Sequence, residues 1–276
     1  YMDVKTVTRV YFSPTGTTRR IAESVAAGIA GDGEAVFDCT KRSWRGQVPG
    51  TFRDDVVILA APVYYGRLPE PAVDCFTRLT ADKTPAVLVA VYGNRAYDDA
   101  LIELFDIAVA RGFVPIAAGA FIGEHSYSTE ALPMAPGRPD AEDLTAAREF
   151  GTAVMKKLTA IRSLEAVNPV RVPCDRPYIE PEGLHRLRRM RQSSSVTPET
   201  DASLCTRCNK CIEACPQDAI DRVDVTRTDK EECILCCACV KVCPVGARRF
   251  TEPAFFPLLK KIQELCRERK EPECYL

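Results

Sequence analysis

The sequence predicts an α/β chain in two parts. Residues 1–162 read as a doubly wound, five-stranded parallel sheet, and residues 201–252 as a small α+β unit folded around cysteines. Three observations carry this. Apolar strand-length runs alternate with amphipathic stretches of helical period, the pattern of a parallel sheet with crossover helices. A hydroxyl-rich loop with one glycine separates the first strand from the first helix. Eight cysteines repeat one spacing twice near the C-terminus.

The elements follow in order. Residues 4–12 (Val4, Val7, Val10, Tyr11, Phe12) form the first predicted strand, and Ile21, Val25 and Ile29 mark one face of the helix after it. Residues 34–38 give a short second strand. The run at 55–63 is apolar throughout, as a central parallel strand requires. Pro71–Leu79 reads as a helix, 85–92 as a strand, and Tyr97–Arg111 as a helix with Leu101, Leu104, Phe105, Ala108 and Val109 on one face. A fifth strand at 113–121 precedes a final helix from Asp140, a good capping residue, to Ile161.

Ligands in such sheets sit at the carboxyl ends of the strands. The first loop there is Ser13-Pro14-Thr15-Gly16-Thr17-Thr18. Its amides, hydroxyls and glycine, opening a helix, make a phosphate cradle. It lacks the lysine of a P-loop, and the chain has no G-x-G-x-x-G dinucleotide fingerprint. The loops after strands three and four, Pro62-Val63-Tyr64-Tyr65-Gly66-Arg67 and Tyr92-Gly93-Asn94-Arg95-Ala96-Tyr97, bring aromatic rings on which a flat ligand could stack.

On these motifs, residues 4–160 resemble a flavodoxin. Ser13, Thr15, Gly16 and Thr18 match that family's FMN phosphate motif, Tyr64, Tyr65 and Gly66 resemble its second loop, and Gly93 with Tyr97 matches its third; Thr17, Pro62, Val63, Tyr92, Asn94 and Arg95, in the same loops, are expected to contact the FMN as well. The resemblance implies bound FMN, with Tyr97 stacked on the flavin and the Gly66 peptide able to flip toward flavin N5. Arg95 departs from the family's usually acidic third loop, and Arg67 stands in the second; positive charge there would raise the flavin potential. Gly123–Pro139, seventeen residues with little periodicity, is long for a connection. It could cover the flavin or receive the second unit, with His125 read as a surface residue.

Residues 163–200 read as a proline-broken linker. Leu184, Leu187 and Met190 suggest one short helix within it, beside a basic run from His185 to Arg191.

Cys205, Cys208, Cys211 and Cys215 spell C-x2-C-x2-C-x3-C-P, and Cys233, Cys236, Cys239 and Cys243 spell it again 28 residues later. Three thiolates in a tight run followed by Cys-Pro is the spacing that wraps an iron–sulfur cube. Zinc, the alternative for clustered cysteines, accounts for neither the run of three nor the paired Cys-Pro. The segment resembles a bacterial two-cluster ferredoxin, in which the fourth cysteine crosses to the other cluster. That implies one [4Fe–4S] cluster on Cys205, Cys208, Cys211 and Cys243, and a second on Cys233, Cys236, Cys239 and Cys215. Cys237 is an extra thiol where the first run has Asn209, and Cys266 and Cys274 read as bystanders. Residues 253–276 end the chain in an amphipathic helix (Phe255, Phe256, Leu259, Ile262, Leu265).

A net charge of −1 gives no case for nucleic-acid binding. No apolar run approaches the roughly 20 residues of a membrane span. With only Cys39, Cys75 and Cys174 before residue 200, the cysteines do not form a disulfide scaffold, and a reducing, oxygen-poor cytoplasm is expected. The resemblance to flavodoxin–ferredoxin fusions of anaerobes implies an electron carrier that passes single electrons between its clusters, FMN and redox partner proteins, either a ferredoxin-type donor or a reductase acceptor. The alternative is a flavin-dependent reductase acting on a small acceptor.

Overall fold

The computed structural model describes residues 4–47, 50–53, 56–163, 167–173, 177–178 and 196–276. The helix expected around Leu184 to Met190, its basic run and Cys174 lie outside the described residues.

Strands β1 (Thr6–Tyr11), β2 (Gly33–Asp38), β3 (Val56–Pro62), β4 (Thr84–Tyr92) and β5 (Phe113–Ile122) are mutually parallel. They stand in the order β2-β1-β3-β4-β5. This is the flavodoxin-like doubly wound order, whose direction of winding reverses between β1 and β3. β3 and β4 are buried along their whole length, because helices cover both faces. Helices α1 (Thr17–Ile29) and α5 (Ala141–Ala160) cover one face. Ile21, Val25 and Ile29 are fully buried there, each contributing roughly 1.5–3 kcal/mol by leaving water. Asp140 caps α5 in a reciprocal box with Asp143. Helices α3 (Glu70–Phe76) and α4 (Ala100–Ala110) cover the other face. A short helix, α2 (Arg42–Arg45), follows β2.

The sheet is not five-stranded and wholly parallel, as the sequence predicts. After β6 (Glu199–Thr200), α6 (Lys210–Ala214), α7 (Ala238–Lys241), β7 (Arg248–Arg249) and α8 (Phe256–Leu265), the chain ends in β8 (Glu273–Tyr275). β8 pairs antiparallel with the free edge of β5, matching Ala118 with Tyr275 and Ala120 with Glu273. A three-residue strand has too little pattern to announce itself, and its pairing capped an edge that would otherwise expose unpaired backbone groups. Within α8, Leu259 and Ile262 are buried while Phe256 and Leu265 face outward.

The cysteine-rich unit repeats its own geometry. Thr200 of β6 pairs with Arg248 of β7, and Ile220 bridges to Thr228 in the same antiparallel sense. The unit does not pack alone. Ile234, Cys236 and Ala238 belong to the same apolar cluster as Leu68, Ala72, Phe76 and Leu101 of the sheet's α3/α4 face.

Candidate functional site

At the carboxyl end of β1, Gly16 takes φ 86° as the N-cap of α1. Only glycine adopts this at little cost. The Ser13 amide donates to Thr40 Oγ1 at 2.9 Å, and the Arg19 amide to Ser13 Oγ at 3.0 Å. No side chain caps α1. Thr18 is fully buried, and its hydroxyl has no hydrogen-bond partner. A buried orphan hydroxyl at a 13-residue helix's positive end fits an absent anion such as a phosphate.

The second loop closes as a tight turn. The Tyr64 amide donates to Arg67 O at 2.8 Å and the Arg67 amide to Tyr64 O at 3.0 Å, with Pro62 and Val63 leading in from β3. Tyr65 and Gly66 both have positive φ, and the Gly66 carbonyl accepts from the Asp99 amide at 3.0 Å. Turning that carbonyl elsewhere breaks this bond. Tyr64 lies against the cysteine-rich unit. Burial first, then the neighbouring thiols of Cys236 and Cys237, hold its phenol well above the usual range, and Ser126 bonds to it.

The third loop is engaged by the end of the chain. Asn94 is buried; its amide donates to Cys266 O at 2.8 Å and Glu268 O at 2.7 Å, and its oxygen accepts from the Lys270 amide at 3.1 Å. The Tyr97 hydroxyl donates to Glu273 at 2.8 Å and lies 2.9 Å from the Tyr275 hydroxyl. Tyr92 and Tyr97 hold their rings 5.7 Å apart. The Cys266 thiol, away from both cysteine sets, donates to the Gly93 carbonyl at 3.2 Å. The two arginines expected to bring positive charge to the flavin are both paired: Arg95 with Asp98, and Arg67 with Glu103 at 2.7 and 3.0 Å.

Residues 123–128 cross over these loops. His125 packs so closely on Gly93 that a Cβ there would stand 2.4 Å from the imidazole. Instead of a surface histidine, His125 is partly buried, and that burial, aided by Arg95 and Lys241, lowers its pKa to about 4. Tyr127 packs edge-on to Phe255 and Phe250, with ring centroids 5.3 and 5.7 Å away. Lys241 donates to Glu124 at 2.6 Å and to Ser128 O at 2.7 Å. The long segment therefore both covers the second and third loops and receives the cysteine-rich unit.

The eight motif cysteines fall around two cavities. Cys205, Cys208, Cys211 and Cys243 line one with about 330 Å³ of open space; Cys215, Cys233, Cys236 and Cys239 line another with about 350 Å³. Among the described residues, no three His, Cys, Asp or Glu side chains converge on a single metal ion. Thiolates set around a volume match a cube with an iron at each liganded corner. Their surroundings differ. Cys208 is exposed, and the Lys210 amide lowers its pKa. Cys236 and Cys239 are buried, and burial pushes Cys233 up to about 11. Cys237 is buried as well, lines the second cavity and takes φ 60°. α2 grips the start of the second set. Arg45 is buried and donates to Pro216 O at 2.5 Å and to Gln217, while Lys41 donates to Glu213 O and Arg42 pairs with Glu232.

Sequence reasoning missed Arg248. It is 2% exposed and lines both cavities. Aligning the two repeats sets Arg248 opposite Ile220, and a charge at an apolar repeat position was the available signal. Nothing in the sequence reading spoke of a pairing between Cys39 and Cys75. Cys39 follows β2 and Cys75 lies on α3; both are buried and joined as a disulfide, a pairing between distant segments that no local pattern announces.

Residues 197–248 match a family model described as a 4Fe-4S dicluster domain. Among solved structures, the chain is similar to the Fusobacterium nucleatum flavodoxin bound to flavin mononucleotide (16% identity over 56% of this chain and 99% of that one, TM-score 0.38). It is also similar to oxidised flavodoxin 2 from Bacillus cereus (16% identity, 55% and 99%, TM-score 0.40). A third is the rubredoxin oxygen:oxidoreductase of the anaerobe Desulfovibrio gigas (11% identity, 60% and 38%, TM-score 0.39). No curated protein matches the chain. The strand order and the matched segment join a flavodoxin-like fold to a 4Fe–4S domain, which indicates redox, electron-transfer chemistry. No helix among the described residues is long and apolar enough to cross a membrane.

Proposed function

We propose that this chain is an electron-transfer protein with three centres in series: an outer [4Fe–4S] cluster, an inner one, and FMN. The observation that carries this reading is the position of the second cavity. Its ligand Cys236 shares an apolar cluster with Val63 and Tyr64 of the second loop, whereas the first cavity opens beside exposed Cys208.

In this reading Cys205, Cys208, Cys211 and Cys243 hold the outer cluster, and Cys215, Cys233, Cys236 and Cys239 the inner one. Ser13, Thr15, Gly16, Thr17 and Thr18 hold the FMN phosphate. Pro62 to Gly66 and Tyr92 to Tyr97 bound the ring. When bound, each cluster exchanges one electron and FMN one or two. The protein supplies distance and exclusion of water. Ile234, Cys236 and Ala238 pack the inner site into the sheet's own core. Lys41, Arg42, Arg45 and Lys241 fasten it on two sides, making transfer intramolecular.

Exposed Leu204 (45%), Val242 (39%) and Val245 (42%) surround the outer set. Arg207 and Lys210 are also exposed there and have no carboxylate partner among the described residues. That rim suits a docking donor protein with an acidic face. Direct reduction of a small acceptor is less well supported, because residues 123–128 cover the loops where it would bind.

Anaerobic reconstitution tests the proposal. It predicts about eight irons and one FMN per chain, and reduction by a one-electron protein donor without turnover of a panel of small acceptors. Four irons, no flavin, or turnover of a small acceptor without the donor would each defeat it.

A further inference from the structure

Arg248 is a buried cation. Among the described residues it forms no ion pair with an Asp or Glu, and its Nε has no hydrogen-bond partner. Its remaining contacts point two ways. Nη1 donates to Thr200 Oγ1 at 2.7 Å, on the wall of the first cavity. Nη2 donates to Thr228 Oγ1 at 3.0 Å and reaches Cys239 Sγ at 3.8 Å, on the wall of the second. The guanidinium thus stands between the two cysteine sets.

An isolated buried charge is costly unless an opposite charge meets it. Arginine does not escape by losing its proton. The anion that fits is the net negative charge that four thiolates give each cluster, met from both sides at once. We infer that Arg248 is a shared counter-ion of both clusters, a positioning residue that raises both reduction potentials and the inner one more. Adding an electron to either cluster adds negative charge, and a fixed cation a few ångströms away favours that form. The inner set needs the help most, since its burial disfavours added charge while the outer set borders water. Arg248 thereby offsets the burial penalty and keeps inward transfer from running uphill. Ile220, at the twin position of the repeat, shows that the fold accepts an apolar residue there; the charge is not required by the fold of the unit.

This inference rests on the two-cluster reading, and the test separates them. The wild-type protein is reconstituted, its iron counted, and both potentials taken from a dithionite titration followed by EPR. If wild type holds fewer than two clusters, the two-cluster reading fails before Arg248 is tested. Given two clusters, Arg248→Gln is expected to make both harder to reduce, the inner one at least tenfold in its reduction equilibrium, about 59 mV for a one-electron couple. Arg248→Lys, which keeps the charge, is expected to stay within about threefold of wild type. A purely structural role predicts equal shifts in both variants. Should the Gln variant fail to load, Thr228→Val takes its place. It removes the partner of Nη2 and should lower the inner potential alone. Two loaded clusters with wild-type potentials in either neutralising or Thr228 variant would overturn the inference, as would a drop confined to the outer cluster.

Discussion

Cys208 stands in solvent beside Lys210, Leu204 and Val245, whereas Cys236 lies in a core it shares with Phe76 and Leu101 of the sheet. Both occupy the second position of one spacing, repeated 28 residues apart. A repeat in sequence therefore does not make two equivalent sites. Spacing decides which thiols can share a cavity; the neighbours decide how wet the cavity is and what it borders. The first set borders solvent with a weakly basic, aliphatic rim. The second borders Tyr64 and the residues that cover the third loop. The asymmetry gives the molecule an outside and an inside.

The comparison breaks most visibly at the cysteines. Cys236→Ser is expected to lose about half of the bound iron and to lower stability, because a hydroxyl replaces a thiol in an apolar core. Cys208→Ser should also lose iron but leave the melting temperature nearly unchanged. Iron analysis and thermal denaturation of the two variants check this; equal loss of stability would mean that the sites are alike.

Acid sharpens the same contrast. His125 is neutral in the fold with a pKa near 4, against an ordinary value of 6.5. Between those values the unfolded chain binds the extra proton, so stability falls as pH drops from about 6.5 toward 4, by roughly 3 kcal/mol at full extent. Denaturant titrations at several pH values should show this slope, and His125→Asn should flatten it. The loss should centre on residues 123–128 and the inner site, leaving exchange of the outer unit's amides little changed.

Arg45→Ala leaves the Pro216 carbonyl and the Gln217 amide without their partner. Loss of about 2 kcal/mol is expected, read by urea denaturation. The smallest effect belongs to the rim. Reversing Arg207 and Lys210 to glutamate together should slow association with an acidic donor about tenfold at low salt, and the difference should fade at high salt. Stability should not change.

Much of this was legible from local pattern. Ile21, Val25 and Ile29 announce α1 because helical period is a property of neighbours in sequence, and Asp140 announces the start of α5 for the same reason. The hydroxyls of residues 13–18 are legible because a single turn builds that loop. What escaped depends on segments far apart. The tail from Cys266 to Tyr275 bonds Asn94 and Tyr97 across more than 170 residues, and no period in either segment encodes that meeting. The pairing of Arg67 escaped because its partner Glu103 lies 36 residues away. His125 looked exposed because only the third dimension sets it on Gly93.

The central claim is that electrons reach the flavin through the inner cysteine set. Rapid mixing of reconstituted protein with a reduced one-electron donor, following cluster and flavin absorbance together, tests it most directly. In wild type, cluster bleaching should precede flavin bleaching. In a Cys236→Ser variant shown to retain FMN and the outer cluster, the first phase should persist and the flavin phase should slow at least a hundredfold. A flavin phase that keeps its wild-type rate in that variant would contradict the account.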